Sequence, residues 1–118
     1  MQRFNHLTGS EERCGFILPD GSLVEVKNLA KDREKEFRMD PATVVEYEDK
    51  VWGSFHTHPN TTSNLSGDDF VAFTNYPSMH HVIIGTDGVS CYVVASSGVL
   101  LKDEAKNLPA WEAPQLSP

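Results

Sequence analysis

Two histidines of this sequence, His56 and His58, are separated by one residue at the end of an apolar stretch. Side chains alternate across a β-strand, so residues i and i+2 share a face and two imidazoles can converge on one metal ion. Asp69 follows eleven residues after His58 and could add a carboxylate ligand. Two histidines, one carboxylate and one water would complete a four-coordinate zinc site with an open, catalytic position.

Ser66 and Asp69 also have a purely structural interpretation. A serine followed three residues later by an acidic residue, just before an apolar run, resembles the capping box that starts an α-helix. A capping serine accepts a backbone N–H and keeps its own hydroxyl proton free to donate. Ser66 can therefore cap a helix and also stabilise negative charge on a reacting oxygen.

These residues, together with Glu12, resemble the JAMM (MPN+) metallopeptidase motif, which reads E…H-[ST]-H-P-x6-S-x2-D. All five motif positions are present, and the small residue and glycine that follow the glutamate by two positions select Glu12 over its neighbour Glu11. The resemblance implies one zinc ion per chain, held by His56, His58 and Asp69. It also implies that Glu12 is the general acid/base and that Ser66 stabilises the tetrahedral intermediate.

The same resemblance implies a fold and an activity. The fold is the JAMM/MPN fold, a cytidine-deaminase-like α+β arrangement, and the activity is that of a zinc metallopeptidase or isopeptidase that cleaves an amide bond in a peptide or protein substrate. A narrower resemblance links Cys14–Gly21, Asn28–Ala30 and Phe37–Pro41 to the JAMM domain of phage tail-assembly proteins. A stand-alone bacterial member would look much the same, so both origins stay open.

Other functions are compatible with these residues. The protein could be a phage tail-assembly or binding module in which hydrolysis is dispensable, or it could hold a structural zinc closed by a fourth protein ligand. If it is an enzyme, a ubiquitin-like sulfur carrier, a tail protein and a cell-wall peptide are all open as substrates. The short loop between the histidines and Ser66 leaves little room for an insertion that grips ubiquitin.

Turn and capping signals predict the elements that must position these residues. Together they predict an α+β domain over residues 1–102, with a curved, mainly antiparallel sheet flanked by helices, and a tail or surface-packed extension over residues 103–118. The predicted elements are a hairpin of Arg13–Leu18 with Leu23–Val26, a helix of about ten residues after Asp40, a strand over Val51–His58, a helix from Ser66 to Pro77, and strands over His81–Gly85, Val89–Ala95 and Val99–Leu101.

Three further features invite a functional interpretation. The charged run Lys31–Arg38 alternates in sign and is typical of a solvated segment. Trp52 shares a face with His56 if the strand is regular. It could therefore form a wall of a cleft beside the histidines, or it could pack in the core. His80 and His81 are not expected to be further ligands, since neighbouring strand residues face opposite sides and at most one of the two could approach the site.

Composition excludes several classes of protein. There are 10 basic and 17 acidic residues, and the net charge of −7 argues against a broad basic surface for nucleic acid or an anionic membrane. No apolar run approaches the ~20 residues that span a bilayer, and Met1–His6 lacks the apolar stretch of a secretion signal. Cys14 and Cys91 lie in apolar runs that favour reduced, buried thiols. We therefore expect a cytoplasmic protein from a bacterial or phage-infected cell, with association with the virion as the alternative.

Overall fold

The first two apolar segments form an antiparallel hairpin because the residues between them favour a tight turn. The computed structural model describes residues 9–98 and 100–103 of the chain. Strand β1 (Cys14–Ile17) pairs antiparallel with strand β2 (Leu23–Val26). In the turn between them Gly21 has a φ of +88°, a conformation that glycine adopts without steric cost, and the Asp20 carboxylate accepts the Ser22 N–H. The structure thus contains the predicted hairpin.

Helix α1 (Pro41–Tyr47) begins where its capping residue predicts. Asp40 accepts the backbone N–H of Ala42 at 3.0 Å, and Pro41 occupies the first helical turn. The helix has seven residues and not the predicted ten. Tyr47, which stacks on Phe16 with ring centroids 5.2 Å apart, is the last helical residue, and an exposed polar turn follows it.

Helix α2 (Gly67–Thr74) begins at the predicted capping box. The Ser66 hydroxyl accepts the Asp69 N–H, and the Asp69 carboxylate accepts the Ser66 N–H, both at 3.1 Å. The helix ends at Thr74, with Asn75 as its C-cap, three residues before the predicted end at Pro77. A proline disfavours the helical conformation of the residue before it, so the helix cannot continue through Tyr76.

The strands form one mixed sheet. Strands β3 (Gly53–Thr57), β4 (His80–Gly85), β5 (Gly88–Val94) and β6 (Leu100–Asp103) complete the order β2-β1-β3-β4-β5-β6. The β3–β4 pair is parallel, and α2 lies in the crossover that such a pair requires. The other four pairs are antiparallel, so the predicted α+β class with a mainly antiparallel sheet is confirmed. The predicted boundary after residue 102 falls inside β6, and residues 1–8 and 104–118 lie outside the described residues.

Strand register divides the sheet into two faces. On the face that carries His56, hereafter the site face, one row contains Phe16, Ser54, His81 and Tyr92 and the next contains Cys14, His56, Ile83 and Ser90. Both helices pack on this face, because Val44 of α1 clusters with Phe16 and Phe73 of α2 clusters with Ile83. The opposite face carries a separate core cluster, formed by Ile17, Phe55, Val82 and Cys91.

Trp52 does not lie on the site face. Its ring stacks on His80 with centroids 4.0 Å apart and packs against the core cluster of the opposite face. The regular alternation begins only at Gly53, where a Cβ atom would come within 2.3 Å of the His80 carbonyl oxygen. Trp52 is therefore a packing residue and not a wall of the cleft.

The two cysteines are buried as free thiols, as the sequence predicts. They lie on opposite faces of the sheet, and burial raises the pKa of Cys14 to about 12. Within the described part of the chain, neither helix is long and apolar enough to cross a membrane.

Candidate metal centre

The two histidines and Asp69 converge on one point above the site face. His56 belongs to β3 and His58 follows directly after it, and their Nε2 atoms are 3.2 Å apart. Asp69, in the first turn of α2, places its carboxylate oxygens 3.0 Å from the His56 Nε2 and 3.1 Å from the His58 Nε2. Ligands about 2.0–2.1 Å from a tetrahedral zinc ion are separated by about 3.3 Å. The two ring nitrogens, and the carboxylate oxygen that each of them faces, therefore stand close to the spacing that zinc requires.

The protonation pattern of His58 supports a cation at this point. Its Nδ1 lies 2.8 Å from the Thr62 carbonyl oxygen, which can only accept, so Nδ1 carries the proton. In a neutral ring the Nε2 lone pair would face the Asp69 carboxylate, which is also an acceptor. Two acceptors this close need a proton or a metal ion between them. A carbonyl that fixes the tautomer of a ligating histidine is the usual outer partner in metal sites.

His56 is held by aromatic rings. The Phe37 ring stacks on the imidazole at 4.3 Å between centroids, and the Phe73 ring tilts against it at 5.7 Å. Its Nδ1 is buried and has no hydrogen-bond partner among the described residues. The ring orientation of His56 is thus set by packing, whereas that of His58 is set by a hydrogen bond.

Electrostatics favour the metal-binding forms of His56 and Asp69, whereas a metal ion must displace a proton from His58. Burial lowers the pKa of His56, whereas the hydrogen bond to Asp69 raises the pKa of His58. Burial opposes ionisation of Asp69, but hydrogen bonds from the two histidines outweigh it and hold the pKa of this carboxyl well below its usual range. Asp69 is therefore an anion at neutral pH, and it offsets the charge of a cation bound beside it.

Glu12, and not Glu11, lies beside the histidines. Glu12 is buried, with its carboxylate within 4.8 Å of ring nitrogens of both His56 and His58, and these three residues form a group that could bind a metal ion. Burial raises the pKa of Glu12 to about 7, although the charge of His58 opposes the shift. Glu11 is exposed and pairs with Arg33 at 3.0 Å.

Ser66 shares a cavity with these residues. The cavity, of about 980 Å³, is lined by Glu12, His58, Ser66 and Asp69 and continues between the two helices. The serine hydroxyl accepts the Asp69 N–H, so its proton is free to point elsewhere. The structure thus brings all five predicted residues together, four of them at the wall of one cavity.

His81 lies in the row next to His56, but both its ring nitrogens have partners. The Nδ1 is 2.7 Å from the Ser54 hydroxyl, and the Nε2 is 3.0 Å from the Tyr76 carbonyl oxygen. His80 points to the opposite face and stacks on Trp52. Neither histidine is a further metal ligand, in agreement with the sequence-based interpretation of His80 and His81.

Sequence reasoning assigned no role to Asn28, which holds Glu12 in place. Its side-chain amide donates to the carbonyl oxygens of Glu12 at 2.8 Å and of Glu36 at 3.0 Å. Its Oδ1 accepts the N–H groups of Ala30 and Arg38. The turn to Ala30 is a local signal that asparagine favours, but the contact with Glu12 spans 16 residues and leaves no trace in a local pattern.

The hydrogen bonds of Asn28 to Glu36 and Arg38 also hold the loop that contains Phe37, and Phe37 contacts the candidate metal centre. The charged side chains of residues 31–38 are exposed, as predicted, but the prediction of a wholly solvated segment is wrong at Phe37, which stacks on His56. The available signal was that Phe37 is the one apolar residue in a run of eight. An apolar residue flanked by charges is consistent with one anchored side chain in an exposed loop.

Comparison with known proteins extends to the fold alone. No protein-family model matches the chain, and a search of curated proteins finds no match. The chain is similar to the solution structure of protein DSY2949 from Desulfitobacterium hafniense, with 23% identity over 88% of this chain and 83% of that chain and a TM-score of 0.62. A protein from Salinibacter ruber is similar with 19% identity, over 81% of this chain and 76% of that chain, at a TM-score of 0.49. The Desulfitobacterium structure shares the fold.

Proposed function

We propose that the protein is a zinc metallopeptidase of the JAMM type, with the JAMM/MPN fold, that hydrolyses an amide bond in a peptide or protein substrate. The observation that carries the proposal is the buried triangle of His56, His58 and Asp69, with Glu12 beside it, at the wall of a cavity. The spacing of the same residues in the sequence is independent support. The buried free thiols fit a cytoplasmic protein.

The mechanism assigns one task to each group. A bound zinc ion would supply Lewis acidity and lower the pKa of a coordinated water to about 7. Glu12 accepts a proton from the attacking water and delivers it to the leaving amine nitrogen. Ser66 donates its free hydroxyl proton to the oxygen on which negative charge develops. Thr62 keeps His58 in the tautomer that ligates through Nε2.

A structural metal site closed by Glu12 is the second candidate. The proximity of the Glu12 carboxylate to both imidazoles favours it, because a fourth protein ligand would replace the water that hydrolysis needs. The two functions differ in what Glu12 does. In one it binds the metal ion, and in the other it moves a proton.

The substitution Glu12→Gln separates these functions. We expect the variant to retain about one zinc per chain by elemental analysis and to hydrolyse peptides or ubiquitin-like proteins about 10²- to 10⁴-fold more slowly than the wild type, the usual contribution of a positioned acid/base. The control is Glu11→Gln, which removes the exposed neighbouring carboxylate and should retain both zinc and activity.

Two outcomes would contradict the proposal. A Glu12→Gln variant that remains fully active would exclude Glu12 as the acid/base. A variant that loses the zinc ion together with its thermal stability would identify Glu12 as a ligand and the site as structural.

A further inference from the structure

The cavity at the metal centre extends one row deeper along the site face. Strand register places Phe16, Ser54 and His81 side by side on β1, β3 and β4, directly below the row that contains His56. Rows on one face are two residues apart, which is about 6.6 Å along a strand. The three residues line the same cavity as His58 and Asp69 and form the floor of its inner part.

The walls of this inner part are apolar. Val44 of α1 and Met79, just before β4, line it, and the ring of Phe73 of α2 stacks on His81 with centroids 4.2 Å apart. We call this space the inner chamber and define it by Phe16, Val44, Ser54, Phe73, Met79 and His81. The mouth of the cavity differs, because exposed charged residues such as Lys35, Glu36 and Asp68 line it.

The polar groups of the floor satisfy each other. The His81 Nε2–H donates to the Tyr76 carbonyl oxygen, which leaves Nδ1 to accept the Ser54 hydroxyl proton. Burial lowers the pKa of His81 to about 4, so the ring is neutral at physiological pH. An apolar group can therefore enter without leaving a polar atom of the floor unpaired. A charged group would lose its hydration and find no ionic partner on the floor.

We propose that the inner chamber is a specificity pocket that receives a large apolar side chain, aliphatic or aromatic, from a substrate residue next to the scissile amide bond. The proposal rests on the proposed peptidase function. A peptide carbonyl at the row of His56 lies about one row from the floor, and a side chain of Leu, Met or Phe spans that distance. Glycine or alanine at the same position would leave the chamber unfilled.

Ala72 offers a way to fill the chamber from the protein side. It lies on α2 three residues after Asp69, lines the cavity and packs against the cluster of Phe73. Leucine is a good helix former, so Ala72→Leu adds volume without opposing the helix. The matched control is Ala42→Leu, which adds the same volume to an exposed position of α1.

The test compares capped peptides that differ at one position at a time, with Gly, Asp, Leu or Phe in a constant background. For the zinc-loaded wild type, we expect kcat/KM for the best Leu or Phe peptide to exceed that for the Gly peptide by about 10- to 100-fold, the range that a few methylene groups provide. Ala72→Leu should reduce this ratio by about tenfold or more, and Ala42→Leu should leave it unchanged. A wild type that hydrolyses the peptides with no apolar preference would overturn the pocket and leave the peptidase function intact.

Binding provides a readout that does not depend on turnover. Zinc-loaded Glu12→Gln protein is titrated with the same peptides by calorimetry, and we expect the Leu or Phe peptide to bind about tenfold more tightly than the Gly or Asp peptide. Equal affinities would overturn the specificity pocket. Selective binding, weakened by Ala72→Leu in this background, would support the pocket even if the wild type hydrolysed none of the peptides, a result that would count against the peptidase function alone.

Discussion

Burial and neighbouring charges shift the pKa of Glu12 in opposite directions. Burial is the largest and raises its pKa to about 7, the charge of His58 lowers it, and the nearby carboxylate of Asp69 raises it again. A carboxyl poised near neutrality can both accept and release a proton at physiological pH, as an acid/base requires. The same burial means that ionising Glu12 in the folded protein costs free energy.

That cost predicts a pH-dependent stability difference between the metal-free wild type and Glu12→Gln. Below about pH 4 the carboxyl is protonated in the folded and unfolded chains, and the two proteins differ little. Between about pH 4.5 and 7 the unfolded chain releases this proton while the folded chain retains it, so the free energy of unfolding of the wild type falls as pH rises. By pH 8 we expect the variant to be more stable by about 1–3 kcal/mol.

The measurement is urea unfolding in the presence of a chelator, at several pH values from 4 to 8. Glu11→Gln is the control, because it removes an exposed carboxylate and should differ from the wild type by no more than about 0.5 kcal/mol throughout. A constant difference between Glu12→Gln and the wild type across this range would show that the carboxyl is not held in its protonated form by burial.

At the scale of elements, the loop after β3 is attached to the end of β4. The Ser63 N–H donates to Asp87 at 2.8 Å, and the Thr86 N–H donates to the Thr61 carbonyl oxygen at 2.9 Å. This attachment places the Thr62 carbonyl oxygen against His58. The close approach requires glycine at position 85, because a Cβ atom there would lie 2.2 Å from the backbone nitrogen of Ser63.

We therefore expect Gly85→Ala to weaken metal binding without changing a ligand. The added methyl group must displace the Thr62–Ser63 backbone, and the His58 ring loses the acceptor that fixes its tautomer. Loss of such an outer partner lowers metal affinity by about 10- to 100-fold, and the crowding costs about 1–3 kcal/mol of stability. Competition with a chromophoric chelator measures the first effect, and thermal unfolding measures the second.

Gly67→Ala is the matched control, since a Cβ atom at Gly67 meets nothing within 4 Å. It should bind zinc like the wild type and be at least as stable, because alanine is the better helix former. If Gly85→Ala folds and binds zinc with wild-type affinity, the attachment of the loop to β4 does not position His58.

Elements with local signals were predictable from the sequence. Asp40 and Ser66 marked the starts of both helices because a capping side chain bonds to a backbone group only two or three residues away. His56 and His58 shared a face for an equally local reason, the alternation of strand residues. These local rules therefore predicted which elements carry the expected ligands, a strand for His56 and the first turn of a helix for Asp69.

Contacts between distant segments were not predictable. The amide of Asn28 reaches Glu12 across the sequence, and Phe37 reaches His56 across 19 residues, so neither contact follows from a periodic pattern. The prediction for Trp52 failed because this residue lies in a bend before β3, where the assumed alternation of a regular strand does not apply. Tertiary packing decides such positions, and packing between distant segments cannot be inferred from a single sequence.

At the scale of the whole molecule, the candidate metal centre brings together residues from separate parts of the fold. Its candidate ligands come from β3, from the residue after it and from α2, and Glu12 precedes β1 at the far side of the same site. An ion that binds only the folded chain stabilises it by RT ln(1 + [L]/Kd), which is about 4 kcal/mol at a concentration 1,000 times the Kd. In a chain with a net charge of −7, a divalent cation also relieves repulsion among acidic groups.

Saturating zinc should therefore raise the melting temperature of the metal-free protein by about 10–20 °C, and a chelator should reverse the shift. Magnesium at the same concentration should produce a much smaller shift, since it prefers oxygen ligands and two of the three candidate ligands are imidazoles. His56→Ala should abolish the zinc shift, whereas His80→Ala, on the opposite face of the sheet, should preserve it. Differential scanning fluorimetry measures each of these shifts. An equal zinc shift in His56→Ala and the wild type would locate the stabilising ion elsewhere and remove the physical basis for a metal centre at this site.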